Sequence, residues 1–160
     1  MDSIDAGTLL LAHPVCVHFA VALTVAAVLL DAAGARSGNE SWQRAAGLNL
    51  ALGVAGLSLA VASGWFESRL PQAEQPFTAQ AERLLQYHEY LGFGLLGLFA
   101  CLLVWRLRAG GKPTPFLLTL AFLGLVGLTV QGYLGGEIVY RYGFRVKAVE
   151  LLATAASAEP

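Results

Sequence analysis

Charge is what this chain has least of. Of its 160 residues only 13 % are charged, about half the roughly 25 % of an ordinary soluble domain. Ten Lys and Arg stand against eleven Asp and Glu, for a net charge of -1. That balance offers no basic face for nucleic acid, so a nucleic-acid partner is excluded. Two cysteines cannot build a disulfide scaffold, and a single Met cannot form a methionine cluster around copper. No phosphate-cradling glycine loop, nucleophile elbow or zincin helix occurs. What remains is apolar: 56 % of residues are hydrophobic and the mean hydropathy is +0.61. Eighteen glycines without a collagen period point to closely packed helices.

Four apolar runs stand out: Pro14 to Ala33, Ala45 to Phe66, Tyr90 to Trp105 and Phe116 to Gly136. A helix that crosses a bilayer needs about 20 residues. The pattern predicts helices over 14–33, 44–66, 78–107 and 115–137, the third with an amphipathic extension upstream of its apolar run. Gly34 with Arg36-Ser37-Gly38-Asn39, Pro71 with Pro76, and Gly110-Gly111-Lys112-Pro113 punctuate the chain between them. Met1 to Ala12 contains Asp2 and Asp5 but no basic residue, which argues against a cleaved signal peptide. The expectation is an all-α integral membrane protein, a single domain over 1–160 forming a four-transmembrane-helix, up-down-up-down bundle. Residues 141–160 read as an interfacial tail.

Loops one and three carry Arg36, Arg44, Arg106, Arg108 and Lys112; the other side carries Arg69, Arg83, Arg141, Arg145 and Lys147. The count is even. Short loops weigh most in setting orientation, which favours both termini outside. Helix two presents Asn49, Gly53, Gly56, Ala60 and Gly64 on one narrow face, read as a packing surface. Gly92, Gly94 and Gly97 in helix three, and Gly124, Gly127, Gly132 and Gly136 in helix four, read the same way.

All three histidines fall at one end of such a bundle. His13 and His18 open helix one, His88 enters helix three, and helices two and four finish there with Glu67 and Glu137. Cys16 and Glu89 join them. Ionisable groups at membrane depth are costly and are functional candidates by default; against that, His, Trp, Tyr and Glu sit comfortably at a wet interface. His13 and His18 are about 140° apart on a regular helix and make poor joint ligands. His18 and His88, from parallel helices at similar depth, suit bis-histidine ligation of a b-type haem. A copper, iron or zinc ion on His13, His18 and His88 is the competing ligand. Glu67, Glu137 and Glu89 would then orient the rings. Cys101, about 20 Å deeper than His88, is expected as a buried filler. Asp31 at the other end is expected to bond helix two near Arg44 and Asn49.

These marks also carry a resemblance. His13-Pro14, Val17-His18-Phe19 and Asp31 resemble the opening helix of bacterial membrane proteins grouped as domain-of-unknown-function family 2231. Gly132-Tyr133-Leu134-Gly135-Gly136-Glu137 leading to Val139-Tyr140-Arg141 is similar to that family's last helix, and His88 falls where such proteins place a histidine before helix three. One departure stands out: Tyr142-Gly143 follows where the family often has His-Gly. The resemblance implies a multi-pass protein of the bacterial inner membrane. It also implies an accessory part in respiratory or redox systems, some members being joined to Rieske-type or cytochrome-like modules. The expected function is a membrane redox subunit that passes electrons to a quinone or a redox protein. The alternative is a non-catalytic scaffold or assembly subunit. Besides the lipid bilayer, a further copy of the chain is a candidate partner.

Overall fold

The computed structural model describes residues 12–69, 78–144 and 146. Four helices account for nearly all of it: α1 (Ala12–Ser37), α2 (Glu40–Glu67), α3 (Ala79–Arg108) and α4 (Pro115–Tyr140). They have 26, 28, 30 and 26 residues. At 1.5 Å per residue each is about 39–45 Å long, more than the roughly 30 Å hydrocarbon core. All four are long and apolar enough to span. Their outer surfaces are as apolar as their inner ones: Leu29, Leu48, Leu59, Leu123 and Val126 are exposed, which is how a helix meets lipid. Trp42 and Trp105 lie toward one end and Trp65 toward the other, each half exposed, as side chains with one apolar and one wet end do at an interface.

The helix ends follow local chemistry. α1 runs through Gly34 to Ser37, past the stop expected there, because the left-handed turn falls at Gly38, with φ of 68°. Asn39 then caps α2, its side chain accepting from Ser41 N at 2.9 Å and Trp42 N at 3.3 Å. Helix two therefore begins at Glu40, four residues before the apolar run suggested. Thr78 and Thr114 cap α3 and α4 through Ala81 N and Leu117 N, both at 3.2 Å, and Pro115 fills the first turn of α4. The extension of α3 upstream of its apolar run is helical, as its amphipathic pattern predicts. Pro71, Pro76, the acidic start of the chain and most of the 141–160 tail lie outside the described residues.

α1 packs most closely on α2, α3 packs on α4 and α2, and α1 meets α4 more lightly. Around the centre lie Phe99, Leu95 and Leu102 of α3, Leu50 and Leu57 of α2, Ala20 and Val28 of α1, and Leu117 and Leu128 of α4. The small face of α2 is a packing face: a Cβ on Gly53 would stand 2.7 Å from Thr24 Oγ1, and one on Gly56 would stand 3.1 Å from Ala20 Cα. In α4 a Cβ on Gly124 or Gly127 would meet Phe99 or Leu95 at 2.6 and 2.7 Å. Gly94, Gly97 and Gly132 have open space beside them, so these three do not serve helix packing as expected. Cys101 corrects another expectation. It is exposed on the outer surface, where a small apolar thiol suits lipid as well as it suits a core.

Candidate functional site

His13, at the start of α1, lays its ring across α2. Nδ1 is 2.8 Å from the Ala60 carbonyl oxygen and 3.3 Å from Ser63 Oγ. A carbonyl only accepts, so Nδ1–H donates to it and Nε2 keeps its lone pair. Gly64 makes the room: a Cβ there would stand 2.7 Å from His13 Cε1.

His88 is held in the same manner one hairpin later. A Cβ on Gly135 of α4 would stand 3.1 Å from His88 Cε1. The Gln131 amide nitrogen donates to the His88 backbone carbonyl at 3.0 Å and lies 3.2 Å from its Nε2. Turning the amide over would set Oε1 against that carbonyl oxygen, so the nitrogen is the atom that faces His88. An amide nitrogen only donates; Nε2 is therefore the acceptor, and the ring proton sits on Nδ1. Among the described residues neither His88 Nδ1 nor Gln131 Oε1 has a hydrogen-bond partner, and both atoms are buried. One buried donor and one buried acceptor are left, each costing about 1–3 kcal/mol if unmet. His13 is close enough to His88 for the two rings to act on each other electrostatically.

His18 is elsewhere. It is exposed, and its Nδ1 bonds the Pro14 carbonyl of its own helix at 2.6 Å. The expected pairing of His18 with His88 is not formed, because His18 is turned about 140° around the helix from His13, and His13 faces the bundle. The haem slot expected between them is not formed either. The spaces at Gly64, Gly92 and Gly135 are taken by His13, Gln131 and His88 themselves, so the rings and glycines do not fit a porphyrin between them.

The carboxylates at this end meet other groups. Glu89 Oε1 accepts from Ser68 Oγ at 2.5 Å and from Arg69 Nη1 at 3.0 Å, while Arg69 lies 4.4 Å over the Trp65 ring. Glu137 accepts from Arg141 Nη1 at 3.2 Å. Glu89 and Glu137 are thus engaged by arginines rather than orienting the histidines. Glu67 is buried at the end of α2, and Cys16 is half-buried. Among the described residues, no three His, Cys, Asp or Glu side chains gather as a metal-binding group.

The opposite end holds a buried ion pair. Arg106 Nη1 of α3 donates to Asp31 Oδ2 of α1, and its Nη2 donates to the Gln43 carbonyl of α2 at 2.5 Å. Gly47 lets the guanidinium in: a Cβ there would stand 3.2 Å from Arg106 Nε. The expected bond from Asp31 to helix two is thus replaced by one to helix three. Arg44 pairs instead with Glu40 at 3.6 Å, and Asn49 bonds the Ala45 carbonyl at 2.9 Å.

Two residues central to these sites escaped the sequence reading. Arg106 counts among the loop cations by sequence, yet it falls in the last turn of α3 and is buried. Gln131 is a polar side chain in the apolar stretch Leu125 to Tyr133; isolated polar groups in such stretches are functional candidates, and that signal was available. No curated protein and no solved structure matches the chain. A family described as predicted membrane protein, DUF2231, matches residues 11–148. With four spanning helices and a match over most of its length, the chain belongs to domain-of-unknown-function family 2231 of membrane proteins.

Proposed function

We propose that the protein is a redox subunit of the bacterial inner membrane, with both termini outside, that binds the head group of a quinone or quinol at His88 and Gln131. The carrying observation is the buried, unmet pair His88 Nδ1–H and Gln131 Oε1. A quinone carbonyl supplies the missing acceptor, and a quinol hydroxyl supplies the missing donor as well. Reducing a quinone takes two electrons and two protons. A haem or iron–sulfur partner protein gives or takes the electrons, while His88, with His13 beside it, carries protons to and from the head group.

A second reading rests on His13. Its Nδ1–H bond to a backbone carbonyl is the arrangement that orients a metal-ligating histidine and leaves Nε2 for a copper, iron or zinc ion. The test is a short-chain quinone carrying a labelled carbonyl, added to protein in bilayers and followed by infrared difference spectroscopy. The expected result is a shifted carbonyl stretch that is lost in His88→Ala and kept in His18→Ala. Elemental analysis of wild type and His13→Ala, with a reduced-minus-oxidised spectrum, examines the metal reading. If the wild type shifts no quinone band and is colourless and metal-free, the scaffold alternative takes the place of both.

A further inference from the structure

We propose a water-binding site inside the membrane-spanning bundle: a single water held between Asp31 and Arg106, which makes their ion pair a hydrated three-party site. Asp31 uses one carboxylate oxygen for Arg106, while its other oxygen, Oδ1, is buried and has no hydrogen-bond partner among the described residues. A carboxylate has about four lone-pair sites, so an oxygen with no donor is the costly half of this pair. Arg106 has the complementary surplus: a guanidinium carries five N–H groups, and the bonds to Asp31 and Gln43 use two of them.

Beside these groups lies a cavity of about 20 Å³, lined by Asp31, Arg106, Ala27, Leu50, Leu117 and Ala121 and reaching the α3–α4 connection at Pro113. One water needs about 10–15 Å³ of such space and at least two polar partners. The cavity meets both conditions once. The water donates a hydrogen bond to Asp31 Oδ1 and accepts one from a spare Arg106 N–H, and the remainder of the lining is apolar. The ligand is fixed as water by size and charge: the Asp31–Arg106 pair is neutral overall, which gives no excess charge to attract a free ion. Among the described residues Arg106 is the charged group that acts on Asp31, since Glu40 and Arg44 are engaged with each other on exposed α2 surface. Because the cavity reaches Pro113, the water exchanges with solvent from the α1–α2 and α3–α4 loop side, the face opposite the histidines.

Water-edited solid-state NMR of isotope-labelled protein in bilayers tests this. Polarisation starting on water should reach the Asp31 carboxylate carbon about as fast as it reaches loop residues such as Gly111. It should reach Thr24 and Phe99, both fully buried, much later. Ala121→Val narrows the cavity and should slow the transfer to Asp31 several-fold without changing the transfer to Gly111. Transfer to Asp31 in the wild type as slow as that to Phe99 overturns the proposal, and this measurement needs no variant to fold. Fast transfer that Ala121→Val leaves untouched overturns the placement of the water in this cavity.

Discussion

The two helical hairpins are built alike and packed differently. In each, a histidine in the N-terminal third of the first helix rests on a glycine in the last two turns of the second: His13 on Gly64, His88 on Gly135. Between α1 and α2 the glycines meet backbone and short side chains, Ala20 Cα and Thr24 Oγ1 among them. Between α3 and α4 they meet the far ends of long side chains, Phe99 and Leu95. The polar groups differ accordingly. His13 has the Ala60 carbonyl for its proton, whereas His88 and Gln131 retain a donor and an acceptor that nothing described in the bundle meets. At the histidine end of the bundle, the first hairpin closes on its own polar groups and the second holds unmet ones.

Arg106 ties the second hairpin to the first, so its loss should have the largest effect. It is 4 % exposed and Asp31 8 %, and removing one partner of a buried pair costs about 3–5 kcal/mol because a charge is left behind. Arg106→Met should lower thermal stability in mild detergent by that order. Adding Asp31→Leu should recover most of the loss, since an apolar pair of similar volume is often neutral or better. If the double variant is no more stable than the single one, the pair does more than neutralise charge.

The glycine contrast predicts the next effect. Gly56→Ala places a methyl 3.1 Å from Ala20 Cα; backbone cannot step aside, and overpacking of this kind costs about 1–3 kcal/mol. Gly127→Ala places one 2.7 Å from Leu95 Cδ2, a nominally worse clash with an atom that can rotate away. The order of damage should therefore reverse the order of distances. Thermal unfolding of the two variants side by side measures it, and equal losses would remove the distinction between a rigid and a yielding hairpin.

Much of this was legible in the sequence. Run lengths, punctuation and the small face of α2 point to four helices and to a packing face on α2, because lipid imposes length and close packing imposes small residues at regular spacing; that α1 is what packs there comes from the structure. The end of the bundle that gathers the histidines was legible too, since alternating helix direction decides it. What escaped was rotation about each helix axis. His13 and His18 both open α1, and only packing against α2 decides which turns inward; a nearly uniform apolar surface gives no periodicity from which to read that. Arg106 escaped because a cation near a helix end reads as a snorkelling or loop residue until its partner is found. Gln131 is the exception: its isolation among apolar residues marks it in the sequence, although it carries no titratable group.

The smallest effect on stability should come from the residues that carry the proposed function, and it is the sharpest test of the contrast between hairpins. Removing one partner of a hydrogen bond strands the other, but replacing both by apolar groups of similar shape is nearly neutral or stabilising. His88 and Gln131 bond each other and leave one atom each unmet, so the double variant His88→Leu/Gln131→Leu removes both unmet groups together. It should unfold at a temperature equal to or above that of the parent while losing the shifted quinone carbonyl band. His13→Ala is the control from the other hairpin: it deletes a satisfied bond to Ala60 and opens space over Gly64, and it should cost about 1 kcal/mol. A site kept for packing is expected to lose stability when it is made apolar, whereas a site kept for a ligand is expected to gain it. If the leucine pair destabilises the bundle more than His13→Ala does, His88 and Gln131 belong to the frame, and the quinone reading fails with them.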